Sequence, residues 1–380
     1  MLEKKEREFM QKGLSEYRFL NYNVLESMVD WVRLVSLDGT IVYANQAMKE
    51  ALGYDIVGKK CYQSVGKDTP CTFCISKRSI MYGEIVQKEE LIKGRYYSVI
   101  SSPVKDADDK IVGAVEVLRD VTRERKLEQQ LIQKNTKMLQ DIKFAEKIQR
   151  KILPKRGIYK TLKIDYMYKP CEMLSGDMFD VFYIDDENIG IYICDVVGHG
   201  ITASMMTMFV RQTMRAIRES IKSPSKALTE LQRRFSSLGL GADKYFTIFY
   251  AIFNIKSNTF KYANAGHNCM PIKYNSNRVE FLDMRGLPIS LIFNRISYEE
   301  KEIRLSKGDK VLFFTDGITE VRDREGNEFG VDRIIDIIKT NDINVLNKIV
   351  NHVEEYRWGE QVDDYALLLM EVIDGQKLRM

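Results

Sequence analysis

Four acidic motifs in the second half of this 380-residue chain constrain its fold more than any other feature. Three of the four adjoin long apolar, β-branched runs, which are typical of strands buried in a sheet. A carboxylate at the end of a buried strand lies at the rim of its sheet, and several such rims can meet in one place. The motifs are Ser175-Gly176-Asp177, Asp195-Val196-Val197-Gly198-His199-Gly200, Thr315-Asp316-Gly317 and Asp363-Asp364.

Carboxylates that converge in this way repel one another, and their removal from water raises their pKa values. A divalent cation relieves both effects, and hard ions such as Mg²⁺ and Mn²⁺ prefer carboxylate, carbonyl and water oxygens. Two such ions about 4 Å apart can activate a bridging water and neutralise a phosphoryl group. Any single Asp-Gly motif is more often a turn than a ligand. The prediction of a two-metal site therefore rests on the combination.

With two further matches, this series resembles the signature of the sporulation stage II E and sigma-regulator phosphatases. These proteins are the bacterial branch of the metal-dependent PPM (PP2C-like) protein phosphatases. The resemblance extends over about residues 145 to 372 and keeps the order and spacing of the motifs. The two further matches are Asp180 and the segment Asn264-Ala265-Gly266-His267-Asn268.

The resemblance implies two Mn²⁺ or Mg²⁺ ions and a metal-bound water that attacks phosphoserine or phosphothreonine directly. Carried over to this sequence, Asp195 would bridge both ions. Asp177 and the backbone carbonyl of Val196 would complete one site. Asp316 and Asp363 would hold the second ion. These four aspartates are the predicted catalytic residues.

The last motif departs from the family pattern, because Ala366 stands where a threonine is usual. This departure leaves open which of Asp363 and Asp364 points into the site. Both residues are therefore candidate metal ligands.

The second half of the chain is predicted to be an α+β domain, because its strands and helices do not alternate one for one. The family resemblance implies a PPM-type β-sandwich flanked by helices, expected over residues 156–374. The strand-like runs are 189–194, 245–255, 310–315 and 365–372, and the helical stretches are 201–222, 224–237 and one near 331–356.

The first part of the chain carries a second resemblance. The segment from Asp38 to Asn45 contains an Asp-Gly hairpin signal followed by a strand. Together with Leu52-Gly53-Tyr54, it resembles the opening of a PAS sensor domain. We expect this domain over residues 18–122, as a five-stranded antiparallel sheet with helices, preceded by a helix at residues 1–17.

Residues 123–155 are charged and are predicted to form a helical linker. Apolar residues seven positions apart indicate the seam of a two-stranded coiled coil, although two charged residues interrupt it. We therefore expect a homodimer through the PAS domain and the linker, and a solitary solvated helix is the alternative. The seam residues are Leu131, Met138, Ala145 and Ile152.

Three of the six cysteines cluster in the PAS region. Cys71 and Cys74 form a Cys-x-x-Cys motif, and Cys61 lies ten residues upstream of Cys71. The three residues are compatible with reduced structural thiols, with a metal or iron–sulfur site, or with a redox switch. A metal site usually needs four protein ligands, and no fourth cysteine lies nearby.

The composition excludes some classes of function. The 58 basic and 54 acidic residues give a formal net charge of +4, which argues against nucleic acid or anionic membrane as a partner. No segment reaches the roughly 18–20 apolar residues of a membrane span, and the charged N-terminus leads into no signal core. A reducing cytoplasm is the expected compartment.

These observations favour a signalling phosphatase in which a PAS input controls a PPM output through the linker. The expected substrate is a phosphorylated partner protein, which in the resembled family is often an anti-sigma-factor antagonist of the STAS type. A catalytically degenerate phosphatase fold that only binds its partner is the alternative. A PAS-linked nucleotide cyclase also uses metals and aspartates, but it does not need this series of motifs.

Overall fold

The computed structural model of the protein describes residues 22–218, 222–293, 296–340 and 342–374. The chain divides into two compact units, residues 1–137 and 138–380. The helix predicted at 1–17 lies outside the described residues, and the predicted domain boundaries at 122 and 155 stay predictions. Among the described residues, no helix has the length and apolar character needed to cross a membrane.

The first unit is built on a five-stranded antiparallel sheet in the order β2-β1-β5-β4-β3, which confirms the predicted PAS-like sheet. Three short helices lie between its second and third strands. The strands are β1 (Trp31–Ser36), β2 (Ile41–Ala44), β3 (Val86–Ile92), β4 (Arg95–Lys105) and β5 (Ile111–Asp120), and the helices are α1 (Gln46–Leu52), α2 (Cys61–Ser64) and α3 (Ile75–Tyr82).

A buried ion pair crosses the centre of this sheet. Arg33 of β1 is the direct register partner of Glu116 of β5, and their side chains approach to 2.6 Å. Both side chains are almost fully removed from water, with 5% and 1% of their surfaces exposed. Buried charges persist only when paired and hydrogen-bonded, so this contact fixes β1 against β5.

The predicted linker is a single helix of 31 residues, α4 (Thr122–Ile152). At the predicted seam, Leu131 and Met138 are 60% and 53% exposed. Ile152, at the end of the helix, packs against the core of the second unit instead. The helix is confirmed, and the coiled coil stays a prediction.

The second unit is a sandwich of two antiparallel sheets. One sheet has the order β15-β11-β10-β9-β8 with β14 paired to β10, and the other has the order β13-β12-β16-β17-β7-β6. The strands are β6 (Gly157–Tyr159), β7 (Leu162–Lys169), β8 (Asp177–Tyr183), β9 (Asn188–Val196), β10 (Tyr245–Asn254), β11 (Thr259–Ala265), β12 (Ile272–Tyr274), β13 (Val279–Phe281), β14 (Ile289–Ser290), β15 (Lys301–Arg304), β16 (Lys310–Phe314) and β17 (Tyr365–Val372).

Helices cover the outer face of each sheet, so the unit has four layers. Alternation along the strands produces this arrangement, because successive side chains point to opposite faces. In β9, Ile191 and Ile193 face the core between the sheets, while Tyr192 and Cys194 face the helices. The helices are α5 (Gly200–Ile217), α6 (Pro224–Ser236), α7 (Asp316–Thr319), α8 (Gly330–Lys339) and α9 (Val345–Tyr356).

The expectation of one helix near 331–356 is wrong, because two helices, α8 and α9, occupy this stretch. The first helix ends at Lys339, with Thr340 as its C-cap. The Asp342 carboxylate then accepts a hydrogen bond from the Asn344 backbone N–H at 2.9 Å. Such local turns compete with helix formation, which separates the two helices.

Candidate metal and active site

Two of the predicted aspartates lie side by side on neighbouring strands. Asp177 begins β8, Asp195 is the penultimate residue of β9, and the two are direct register partners. Directly opposite residues of an antiparallel pair project to the same face of the sheet. The alternation in β8 and β9 makes this the face toward the other sheet, so both carboxylates lie at one end of the space between the sheets.

The second sheet brings its aspartates to the same end of the sandwich. Asp316 follows the end of β16 by two residues, and Asp363 precedes the start of β17 by two. Thr315 joins the two sheets: its hydroxyl donates to the Asp177 carboxylate at 2.7 Å and accepts from the Ala366 backbone N–H at 3.1 Å. The backbone of Ala366 thus reaches the site although the residue lacks the usual hydroxyl.

Two glycines permit the close approach of these segments. A Cβ on Gly317 would lie 2.0 Å from the Asp364 carbonyl oxygen. A Cβ on Gly176 would lie 2.9 Å from the Val196 carbonyl oxygen. Distances below 3.0 Å are not tolerated by real Cβ atoms, so any larger residue would push apart the loops that carry the aspartates.

Asp363 and Asp364 have different surroundings. The buried Asp364 carboxylate accepts hydrogen bonds from the backbone N–H groups of Cys171 and Gly176, each at 2.8 Å. Its oxygens therefore hold the loop that precedes Asp177. Among the described residues, the Asp363 carboxylate accepts one hydrogen bond, from the Asp364 N–H at 2.8 Å. Burial raises the pKa of Asp363, the Asp364 N–H opposes this shift, and the charges of Asp316 and Asp364 raise the pKa further.

The electrostatics of the site are those of crowded carboxylates. Burial raises the pKa of Asp177 well above its usual range, and the nearby Asp195 charge raises it further. Burial, followed by the charges of Asp316 and Asp363, raises the pKa of Asp195 to about 8. The pKa of Asp316 is also raised, first by burial and then by Glu320.

The aspartates of the site offer the oxygen donors that a hard cation prefers. Among the described residues, no ion pair engages Asp177, Asp195, Asp316 or Asp363, so no paired Lys, Arg or His side chain neutralises them. In the described part of the chain, no three His, Cys, Asp or Glu side chains are placed so that they could hold a metal ion together. Carboxylate oxygens are nevertheless the ligands that Mg²⁺ and Mn²⁺ prefer.

Asp180 belongs to the same sequence motif as Asp177 but faces the opposite side of β8. Its carboxylate is fully buried and accepts two hydrogen bonds from Arg215 of α5, at 2.7 and 3.0 Å. Arg211 lies 3.5 Å from the same carboxylate. Asp180 therefore attaches α5 to β8 and does not reach the site.

The two histidines near the motifs also differ. His267 is buried, with its ring nitrogens 3.2 Å from the Thr247 hydroxyl and 3.1 Å from the Phe314 carbonyl oxygen. Burial lowers the pKa of His267 to about 4, so the ring is neutral at pH 7. His199 is exposed and lies 2.8 Å from Glu172.

Gln149 of α4 is a residue that sequence reasoning missed. Its side chain is buried, donates to the Ser175 carbonyl at 2.8 Å and accepts from the Ser175 N–H at 3.1 Å. Its amide nitrogen also lies 3.4 Å from the Thr207 hydroxyl of α5. The end of the linker helix thus contacts the loop that carries Asp177. A lone glutamine in a charged helix gives no sequence signal for such a role.

Comparisons with known proteins agree with this architecture. Residues 185–373 match the family model of stage II sporulation protein E (SpoIIE), and residues 29–123 match a PAS domain model. Phosphoserine phosphatase RsbU of Bacillus subtilis (strain 168) is 33% identical over 190 residues, which cover 49% of this chain and 55% of RsbU. Phosphoserine phosphatase RsbP of the same organism is 30% identical over 190 residues, covering 49% of this chain and 46% of RsbP. The solved structure of the SiaA PP2C domain of Pseudomonas aeruginosa aligns with a TM-score of 0.55 at 22% identity, covering 62% of this chain and 98% of that chain.

The second unit therefore has the PP2C-like phosphatase fold. The chain carries a SpoIIE-type PP2C domain and an N-terminal PAS domain, which confirms the resemblance and the fold class predicted from the sequence. Asp195, Asp316 and Asp363 lie within the matched segment, and Asp177 lies just before it. The chain spans about half the length of the two curated relatives.

Proposed function

We propose that this protein is a metal-dependent protein serine/threonine phosphatase that uses two Mn²⁺ or Mg²⁺ ions. The observation that carries the proposal is the convergence of carboxylates without ion-pair partners among the described residues, from both sheets, at one end of the sandwich, where the pKa of Asp195 is raised to about 8. The names of the relatives RsbU and RsbP support phosphoserine as the class of substrate.

Each site residue has a proposed part. Asp195, between the two sets of ligands, would contact both ions. Asp177 and the Val196 carbonyl would hold one ion, and Asp316 and Asp363 the other. Bound ions of this kind supply an activated water and neutralise charge on the phosphoryl group.

Asp364 is better suited to positioning than to ligation, because both carboxylate oxygens already accept backbone hydrogen bonds. It would hold the Cys171–Gly176 loop so that Asp177 faces the site. Thr315 would orient the Asp177 carboxylate through the hydrogen bond at 2.7 Å. These contacts leave Asp363 as the more available of the two adjacent carboxylates.

The partner is proposed to be a phosphorylated protein, as the resemblance implies, and an anti-sigma-factor antagonist of the STAS type is the specific expectation. The predicted absence of nucleic acid and membrane partners and the cytoplasmic location stay predictions.

A homodimer is supported by the exposed Leu131 and Met138 of α4. Light scattering on the full chain tests it, and a monomer at tens of micromolar would contradict it.

Metal removal tests the activity. The full chain, treated with EDTA and dialysed, should not hydrolyse a phosphoserine peptide, and Mn²⁺ or Mg²⁺ should restore hydrolysis. Ca²⁺, which tolerates more ligands and looser geometry, is the control ion. Hydrolysis that persists in EDTA would contradict the proposal. Tight metal binding by calorimetry without hydrolysis of any phosphoprotein would favour the degenerate binding module.

Regulation by the PAS domain is proposed to act through the end of α4. Replacing Gln149 with Leu keeps the side-chain volume but leaves the Ser175 N–H and carbonyl unpaired, which costs about 1–3 kcal/mol. We expect activity at limiting Mn²⁺ to fall roughly tenfold, with recovery at saturating Mn²⁺, because the Asp177 loop loses its support. Gln140→Leu, at an exposed position of the same helix, is the matched control. An equal effect of both substitutions would contradict the role of Gln149.

A further inference from the structure

The PAS unit contains a surface cavity of about 900 Å³ that the proposed phosphatase activity does not use. Cys61, Cys71 and Cys74 all contribute to its lining. Cys61 begins α2, and Cys74 is the N-cap residue of α3. A small molecule in this cavity would thus lie beside cysteines from two segments of the chain, Cys61 in one and Cys71 and Cys74 in the other.

Cys74 is placed where a thiolate is stabilised. Its sulfur accepts a hydrogen bond from the Lys77 backbone N–H at 3.4 Å, in the first turn of α3. The interaction with the Cys61 thiol lowers the pKa of Cys74 most, the Lys77 and Ser76 hydrogen bonds lower it further, and burial and the Glu116 charge oppose them. The result is a pKa of about 5. Cys74 is half-buried and lines the cavity.

Cys61 is the less accessible member of the pair. It is only 8% exposed, and its pKa is raised, first by the interaction with Cys74 and then by burial, with the Arg33 charge opposing. Two coupled thiols share one proton between them, and the hydrogen bond from the Lys77 N–H to the Cys74 sulfur favours Cys74 as the thiolate. This is the arrangement of a reactive thiol beside a second thiol that can react with its oxidised form.

Buried polar contacts hold the two cysteine segments together. The Arg33 guanidinium donates to the Cys61 carbonyl at 3.0 Å and pairs with Glu116 at 2.6 Å. Glu116 in turn accepts a hydrogen bond from Ser76, two residues after Cys74. This chain of contacts ties the start of α2 to the start of α3.

Cys71 has different neighbours. The Lys67 and Lys88 ammonium groups lie 3.6 and 3.9 Å from its sulfur. Within the described part of the chain, the three cysteines do not form a group with metal-ligand geometry. The two ammonium groups distinguish Cys71 from Cys61 and Cys74, which interact with each other.

We infer that Cys74 is an oxidant-reactive site for small hydroperoxides and that Cys61 is its resolving thiol. The Cys74 thiolate attacks one peroxide oxygen, the O–O bond breaks, and the departing oxygen leaves as water or alcohol after taking a proton. The product is a sulfenic acid on Cys74. The Cys61 thiol then attacks this sulfur, forms the disulfide and releases water, so two thiols are oxidised and one peroxide is reduced. The sulfurs must close to about 2.05 Å for this bond.

The test uses the full chain and hydrogen peroxide. Pre-reduced wild type, Cys74→Ser, Cys61→Ser and the control Cys71→Ser are treated with one equivalent of peroxide and then alkylated. Combined trypsin and chymotrypsin digestion separates Cys71 from Cys74, because Phe73 lies between them. Wild type and Cys71→Ser should both yield a Cys61–Cys74 linked peptide pair by mass spectrometry.

In each single variant, the reaction with peroxide should stop at a defined stage. Cys61→Ser should accumulate a sulfenic acid on Cys74 that a cyclic 1,3-diketone captures. Cys74→Ser should consume peroxide roughly tenfold more slowly than wild type. A first disulfide that contains Cys71, or three unmodified thiols under conditions that oxidise free cysteine, would overturn the inference.

A measurement on wild type alone guards against a variant that fails to fold. The alkylation rate of Cys74 by iodoacetamide should be nearly constant between pH 6 and 8, because the thiolate is already formed. An ordinary thiol with a pKa of about 8.5 gains roughly tenfold per pH unit over much of this range. A tenfold rise per unit at Cys74 would overturn the assignment of the thiolate to this residue.

Discussion

Replacing Asp195 with Asn should lower metal-dependent phosphatase activity by about a thousand-fold or more, equivalent to about 4 kcal/mol of transition-state stabilisation. Asp195 is the proposed contact to both ions, and the amide lacks the charge and one of the two acceptor oxygens. Steady-state hydrolysis of a phosphoserine peptide over a Mn²⁺ titration measures the loss. Asp186→Asn, at a fully exposed position of the same unit, should leave the rate unchanged.

The same substitution should stabilise the metal-free protein. The pKa of Asp195 is raised in the folded state to about 8, against about 4 for an unfolded carboxyl. The folded state therefore binds more protons between these two values, so the stability from this group is full below pH 4 and is lost as the pH rises through 8. In EDTA, the melting temperature of wild type should fall between pH 5 and 9, and the Asn variant should show a flatter profile.

Adding Mn²⁺ distinguishes the role of Asp195 in metal binding from its effect on the stability of the metal-free protein. Under the proposal, Mn²⁺ should bind the folded state of wild type and raise its melting temperature by mass action. The Asn variant should show little of this increase. Retained activity together with a normal Mn²⁺-dependent increase in melting temperature would contradict the proposed ligand role of Asp195.

The sheet positions of the site were predictable because burial leaves a strong pattern in the sequence. The run that ends at Asp195 is apolar on both faces, as expected for a central strand covered on both sides. The same holds for the run before Asp316. A strand's end and its carboxylate can be identified from such runs without knowing the order of the strands.

The choice between Asp363 and Asp364 could not be made from the sequence. The choice depends on which carboxylate accepts hydrogen bonds from the backbone N–H groups of Cys171 and Gly176, about 190 residues earlier in the chain. Gln149 depends in the same way on a distant partner, Ser175. Hydrogen bonds between remote segments leave no periodic pattern, so local reasoning does not detect them.

Asp180 belongs to the same sequence motif as Asp177, but its substitution should have the opposite effects to that of Asp195. It should lower the stability of the protein and leave most of the activity. Replacing Asp180 with Ala removes the fully buried carboxylate that pairs with Arg215 and lies near Arg211. Loss of one member of a buried pair costs about 3–5 kcal/mol, and the partial exposure of both arginines places the expected loss near the lower limit, about 3 kcal/mol. For a unit of this size, the melting temperature should fall by roughly 10 °C.

Below its melting temperature, Asp180→Ala should keep its Mn²⁺ requirement and most of its activity, because the side chain lies on the opposite face of β8 from Asp177. Thermal melting and Mn²⁺ titration of the same samples separate the two properties. The double variant Asp180→Leu with Arg215→Met should recover part of the lost stability, since it removes both charges of the closest pair. A thousand-fold loss of activity in folded Asp180→Ala would mean that this carboxylate takes part in metal binding or that the position of α5 controls the metal site. Equal melting temperatures of the variant and wild type would show instead that the arginines find other partners and that the buried pair does not hold α5 on the sheet.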